Sequence, residues 1–176
     1  DDANLTVWWN ETNYTNYVDY DGLMWHNYST EGIYNISVNG TASRISFYEG
    51  TEDALIDILT NVSNGVSGIT SAYRMFMDAD NFGITPLTEP NFFDELSENI
   101  TTLQSIFSSS SFNQDVSNWN VSNVITMSES FSNSPFNQNI DNWDVSNVKD
   151  MSLMFNYAQD FNQNLSNWNV SNVLDM

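Results

Sequence analysis

The chain has 176 residues, of which 23 are acidic and only three are basic, giving a formal net charge of −20. Such a charge repels phosphate backbones and anionic lipid head groups, which excludes nucleic-acid binding and charge-driven membrane binding. The absence of cysteine excludes disulfides and thiolate metal sites. Apolar residues make up 40% of the chain, enough for a packed core. No apolar run reaches about 18 residues, so we expect no membrane insertion by this chain.

The N-terminal region is rich in Asn-x-Ser/Thr triplets, the acceptor motif for N-linked glycans. Residues 1–62 hold eight asparagines, and all but Asn16 begin such a triplet. We therefore predict a secreted, N-glycosylated surface; the alternative is accidental triplets in Asn/Thr-rich strand sequence. The predicted acceptors are Asn4, Asn10, Asn13, Asn27, Asn35, Asn39 and Asn61. Four later triplets, whose number matches chance, begin at Asn99, Asn120, Asn164 and Asn169.

A small β-rich module is predicted over residues 1–50. Its stretch IYNISVNGTASRISFY alternates apolar and polar residues, which places Asn35 on the face opposite Ile36. The Asn39-Gly40 pair is a hairpin signal and is predicted to be an exposed turn. The earlier NLTVWWNETNYT is strand-like and is a candidate to pair with another subunit. The aromatic residues here are predicted to form core or interface rather than a carbohydrate site: Trp8, Trp9, Tyr14, Tyr17, Tyr20, Trp25 and Tyr28.

A repeat array is predicted from residue 51 to residue 176. It begins with a short amphipathic helix over 51–61, read as part of an N-terminal cap. Degenerate units occupy about 51–111, where residues 66–82 align without a gap with residues 145–161. An insertion containing Pro86 and Pro90 lengthens this part of the array.

Three regular units follow, at spacings of 24 and 25 residues. They cover 112–135, 136–160 and the incomplete 161–176. One such unit is too small to bury its own apolar face, so the units are expected to stack. The predicted repeat core comprises Phe112, Trp119, Val124, Met127, Phe131, Phe136, Trp143, Val148, Met151, Phe155, Phe161, Trp168, Val173 and Met176.

Two periodicities follow each other within a regular unit. The apolar residues of FNQNIDNW, starting at Phe136, suit a strand of about four residues. In VSNVKDMSLMF, from Val145 to Phe155, apolar residues recur at three- and four-residue steps, which predicts a helix. Asp144 or Ser146 is predicted to cap that helix. Each unit is therefore expected to contain a strand, a turn and a helix.

The pattern F-N-Q-x-[IVL]-x-N-W-[DN]-V-S-N-V-x-x-M-x-x-x-F resembles the 25-residue lipoprotein-type repeat of BspA-like leucine-rich-repeat surface proteins. The resemblance covers residues 112–176. It implies an α/β fold, a right-handed leucine-rich-repeat solenoid with a parallel sheet on one side, and a role in surface display, adhesion or binding. It also implies an asparagine ladder whose side chains satisfy backbone groups after each strand: Asn118, Asn142 and Asn167.

Candidate metal and catalytic residues are few. Residues 78–89 begin like a calcium-binding loop, but Phe82 stands at the fifth position, where an oxygen ligand is required. His26 is the only histidine and has no ligand cluster around it, so we expect no enzyme and no cofactor apart from N-linked glycans. Looser calcium association stays open, with a solvated acidic surface as the alternative, at residues 19–22 and at Asp115, Asp141, Asp144 and Asp160.

Two functions follow from these observations. The first is an extracellular, glycosylated structural protein that assembles head to tail with copies of itself into a filament or surface layer. The alternative is a cell-surface adhesin that binds a protein or glycan through a concave sheet. The unit 161–176 lacks a counterpart of Phe155, so we expect a neighbouring subunit or a longer parent chain to complete it.

Overall fold

The computed structural model describes residues 4–9, 17–18, 24–25, 36–41, 66–67, 70–79, 82 and 99–176. Several sequence predictions lie outside these residues: the helix over 51–61, the insertion with its two prolines, the aspartates of 19–22, and His26.

The described residues before residue 70 form five strands: β1 (Asn4–Trp9), β2 (Tyr17–Val18), β3 (Met24–Trp25), β4 (Ile36–Thr41) and β5 (Val66–Ser67). One sheet has the order β1-β4-β5, in which β4 pairs antiparallel with β1 and parallel with β5. The other sheet joins β2 and β3 in antiparallel pairing. The first half of the strand-like segment, β1, therefore pairs with β4 of its own chain, while pairing of its other side with another subunit stays a prediction.

The hairpin turn predicted at Asn39-Gly40 is wrong. Both residues lie inside β4, where Asn39 is opposite Thr6 and Gly40 is opposite both Leu5 and Val66. A central strand with partners on both sides uses its backbone groups in the ladders, and this pairing outweighs the local preference for a turn.

The helix predicted for each regular unit is also wrong, as is the short strand before it. Residues 99–176 contain neither, and consist of successive turns joined by single parallel bridges. The bridges run in one column, from Ser71 to Thr102, Thr126, Asp150 and Asp175. Neighbouring units therefore lie side by side in the same register.

A five-residue motif explains the first half of each unit. The pattern [DN]-apolar-[SD]-Asn-[WV] occurs at 115–119, 120–124, 139–143, 144–148, 164–168 and 169–173. In each copy the first side chain accepts the N–H of the third residue, at 2.9 to 3.2 Å. The fifth N–H donates to the second carbonyl, closing a four-residue turn. Asp144 therefore caps a turn, and not the helix predicted there.

These turns account for the three-residue apolar spacing. The second and fifth residues of each motif are apolar and stand at the two ends of one turn, as Val145 and Val148 do. Both of these are buried, at 1% and 0% exposure. A run of such turns buries residues at helical spacing without a helix, which explains the wrong prediction.

The second half of each unit is a ribbon of turns with repeated left-handed residues. Within 103–110, Ile106, Ser108 and Ser110 donate their N–H groups to the carbonyls three residues earlier. Positive φ recurs at two positions four residues apart in each unit, which interrupts any right-handed helix. The positive-φ residues are Arg74, Asp78, Ser105, Ser109, Glu129, Asn133, Leu153 and Tyr157.

Aromatic columns form the centre of the array. Phe107, Phe131 and Phe155 stack on one another with ring centroids 5.9 and 5.8 Å apart. Phe131 also stacks on Phe136 at 3.9 Å, and the same close pair recurs at Phe107–Phe112 and Phe155–Phe161. Trp119 and Trp143 form a parallel column at 6.1 Å. Apolar burial of such large rings is the main stabilising contribution to stacking.

Candidate assembly interface between stacked units

Each unit donates a row of backbone N–H groups to the unit that follows it. Leu103, Ser105, Phe107 and Ser109 donate to the carbonyls of Thr126, Ser128, Ser130 and Ser132, at 2.8 to 3.0 Å. The next interface repeats this row from Met127 to Asn133, and the preceding one from Ala72 to Asp78. Alternate N–H groups of the turn ribbon are thus satisfied by the neighbouring unit, because the ribbon has no helical partner for them.

The Gln and Trp side chains donate in the opposite direction, from a unit to the one before it. Gln138 Nε2 donates to the Asn113 carbonyl at 3.1 Å, and Trp143 Nε1 donates to the Val116 carbonyl at 3.0 Å. One unit later Gln163 and Trp168 repeat these bonds. The interface therefore has a direction. Each unit donates alternate ribbon N–H groups forward, whereas its Gln and Trp side chains, together with single backbone groups such as the Lys149 N–H on the Ile125 carbonyl, donate backward.

The predicted asparagine ladder is one of two such columns. Asn142 Nδ2 donates to the Ser117 carbonyl at 2.7 Å, whereas Asn167 binds the carboxylate of Asp141. Asn118, the first member of the column, is exposed. The second column was missed: Asn147 and Asn172 donate to the carbonyls of Ser122 and Ser146. Its signal was the Ser-Asn-Val present in every regular unit.

The predicted core residues divide by their place in the array. Those of the first two regular units are buried, apart from Phe155: Phe112, Trp119, Val124, Met127, Phe131, Phe136, Trp143, Val148 and Met151. Phe155, Phe161, Trp168 and Val173 are partly buried against this core. Met176 differs from the prediction, since it is 76% exposed. Burial therefore decreases from the first two regular units to the incomplete unit 161–176.

The Asn-x-Ser triplets of the regular units coincide with the five-residue motif. Asn120, Asn164 and Asn169 are exposed and accept the N–H of the serine two residues later. Asp115 and Asp144 occupy the same position and make the same bond. The turn alone therefore accounts for these triplets, although exposed amides are accessible to a glycan.

The remaining predicted acceptors fall in two groups. Asn99 is exposed in a turn. Asn4 and Asn39 lie in β1 and β4. The others lie outside the described residues: Asn10, Asn13, Asn27, Asn35 and Asn61.

The calcium hypotheses find little support among the described residues. Phe82 is fully buried and stacks on Phe76 at 4.3 Å, so it belongs to the core. The rest of the predicted loop, beyond Phe82, lies outside the described residues. Within the part of the chain that the structure describes, no three acidic or histidine side chains come together as ligands for a metal ion.

Serine hydrogen bonds lower the pKa of three aspartates. The backbone N–H of Ser117 holds the pKa of Asp115 below its ordinary value of 3.8. The Ser146 hydroxyl lowers the pKa of Asp144, and the Ser152 hydroxyl lowers that of Asp150. Donors directed at a carboxylate stabilise its charged form. These aspartates therefore stabilise their turns as anions.

Acid should weaken the fold through these three groups. Their folded-state pKa values lie below the unfolded values, so their contribution is full above about pH 4 and is lost as the pH falls through the lowered values. Replacing all three together (Asp115→Asn, Asp144→Asn and Asp150→Asn) should reduce the fall in Tm between about pH 5 and pH 2. Asparagine keeps the acceptor oxygen, as Asn120 does. Asp160→Asn is the control; an unchanged fall in the triple variant would contradict the assignment.

The left-handed position of Tyr157 offers a stabilising substitution. Tyr157 has φ 56° and is 73% exposed, and the same position holds Asn133 in the preceding unit, with φ 53°. Left-handed backbone costs a residue such as Tyr roughly 1–2 kcal/mol, less for Asn. Tyr157→Asn should therefore raise the free energy of unfolding by about 1 kcal/mol, which is measured as a higher urea midpoint. Tyr157→Ala lacks a short polar side chain that can hydrogen-bond to the nearby backbone, so it should not give this gain; equal gains in both variants would refute the explanation.

Units that stack in register, with the same hydrogen bonds at successive interfaces, define this chain as a tandem-repeat protein. The chain belongs to the family described as "Mycoplasma protein of unknown function, DUF285", which matches residues 70–176. That family is associated with BspA-like repeats, so the resemblance is confirmed at this coarser level. No curated protein and no solved structure matches the chain. Among the described residues, no helix has the length and apolar character needed to cross a membrane.

Proposed function

We propose that this chain is a non-enzymatic structural protein of the cell surface, N-glycosylated over its N-terminal region, that assembles end to end. In this proposal residues 70–176 form a solenoid of the BspA-like leucine-rich-repeat kind, built here from turns. The observation that carries the proposal is the directional interface: a row of alternate ribbon N–H groups donates forward from each unit, and the Gln and Trp side chains that recur in register in the regular units donate backward.

A directional, head-to-tail contact gives an open filament when the rotation between subunits does not close a ring. When the donor face of one unit meets the acceptor face of the next, the second unit presents a donor face again, and the contact can repeat without limit. The same chemistry that joins units within the chain is therefore available for joining copies of it. Adhesion through a concave sheet receives less support, because single bridges and not strands link the described units.

Electron microscopy and sedimentation velocity of the purified, secreted chain test the proposal. We expect elongated particles that lengthen with concentration in the micromolar range, whereas monodisperse single particles would overturn it. Ile125, Lys149 and Leu174 share one column, linked by their backbone groups, and Leu174 is 85% exposed. Met176→Lys should shorten the assemblies, because its counterparts Met127 and Met151 are buried between units. Leu174→Lys should leave their length unchanged, because Lys149 already stands in its column.

A further inference from the structure

Two glycosylation triplets lie directly opposite each other in the β1–β4 pair. Asn4-Leu5-Thr6 is in β1 and Asn39-Gly40-Thr41 is in β4. The antiparallel register places Asn4 opposite Thr41 and Thr6 opposite Asn39. The asparagine of each triplet is thus paired with the threonine of the other.

Strand geometry places all four of these residues on one face of the sheet. Residues directly opposite share a face, and alternate residues along a strand return to it. Asn4 and Asn39 are diagonal neighbours, at a separation of about 7–8 Å. The other face holds the apolar positions Leu5, Val7, Trp9, Ile36 and Val38, while Trp8 shares the face of the two asparagines.

Among the described strands, β1 lies at the end of the sheet order β1-β4-β5, and its own sequence lacks the charges and prolines that often keep an edge strand from pairing with another chain. Such strands commonly carry lysine, other charges or proline. Neither Asn4–Trp9 nor Ile36–Thr41 contains a charged residue or a proline, although the chain as a whole carries a net charge of −20. A bulky, hydrated group next to β1 would serve the same purpose.

We infer that Asn4 and Asn39 carry N-linked oligosaccharides as a pair, and that this pair screens β1 from pairing with other chains. The inference rests on the proposed function, whose glycosylated N-terminal region it makes specific. In the transfer step each Asn Nδ2 forms a bond to the anomeric carbon of a glycosyl diphosphate donor. The diphosphate leaves with the electron pair of the broken C–O bond, and Nδ2 loses one proton. Assembly is then confined to the ends of the array, because sideways sheet pairing is blocked.

The pairing is tested by removing both triplets while keeping both asparagines. The double variant Thr6→Ala with Thr41→Ala abolishes the acceptor motifs, whereas Thr6→Ser with Thr41→Ser preserves them. Each full chain is secreted from a glycosylating host, and glycopeptides are identified by mass. We expect both asparagines to be modified on the same molecules in the wild type and in the serine variant, and neither in the alanine variant. In sedimentation, the alanine variant should show at least a tenfold larger fraction of sideways aggregates.

Trimming the glycans of the folded wild type with an endoglycosidase provides a second test, independent of any effect of alanine on folding. We expect the same increase in aggregation. No increase in either experiment, or modification of only one asparagine on each molecule, would overturn the inference. Glycans on Asn10, Asn13 or Asn27 but on neither Asn4 nor Asn39 would overturn it while the proposed function survives. A chain without any glycan would overturn both.

Discussion

Replacing Phe131 by alanine lowers the free energy of unfolding by about 3–5 kcal/mol, the largest loss expected from any single side chain of the array. Phe131 is fully buried and stacks on Phe136, on Phe107 in the unit before and on Phe155 in the unit after. Truncation therefore opens a cavity that three rings line. The turn ribbon around the ring is held by hydrogen bonds on both sides, so it cannot collapse into the cavity.

Urea unfolding followed by circular dichroism measures this loss. Phe155→Ala is the matched control, because Phe155 occupies the same position one unit later and is only partly buried. Its loss should be clearly smaller, since less apolar area returns to water. Equal losses at the two positions would show that burial by the following unit contributes nothing.

Deleting one whole unit, residues 112–135, leaves a chain that still folds cooperatively. The deletion joins Ser111 to Phe136, the equivalent of Phe112, so the row of donors ending at Ser109 meets the carbonyls of the next unit in the usual register. The shortened array buries less surface, so both its free energy of unfolding and its urea m-value should fall.

Deletion of half a unit, residues 124–135, is the control for register. It joins Asn123 to Phe136, which brings the five-residue motif of one unit against the turn ribbon of another. Buried donors and carbonyls then lose their partners, at about 1–3 kcal/mol for each unsatisfied group. We expect this variant to lose its cooperative transition, and survival of a sharp transition would refute the register argument.

The sequence was sufficient to predict the units, their spacing and most of their buried residues. Phe112, Phe131 and Phe136 were assigned to the core by their recurrence alone, and all three are buried. The backbone between them was not predictable from spacing, because turns closed between Val145 and Val148 bury the same positions as one helical turn. The information that separates the two structures lies in the polar residues, since Asp or Asn before each turn competes with a helix for the backbone N–H groups.

The N-terminal sheet could not be predicted from the sequence for a different reason. Asn39-Gly40 has the local preference of a hairpin, and nothing nearby in the sequence indicates that Leu5 and Val66 would lie on either side of Gly40. Long-range strand pairing decides such cases, and one sequence does not display it. The placement of the two glycosylation triplets of β1 and β4 opposite each other, by contrast, follows only from the motif and the strand register together.

The interfaces between units have a consequence for how long such a chain can grow. In the regular units, side-chain bonds between neighbours join residues 24 to 28 positions apart. The entropy lost in closing a loop depends on its length, roughly as (3/2)RT ln n, and here every loop has nearly the same length. Folding rates fall as contacting residues become more distant in sequence, and in this chain that distance does not grow with the number of units. A tenth unit would therefore close on its neighbour as readily as the second.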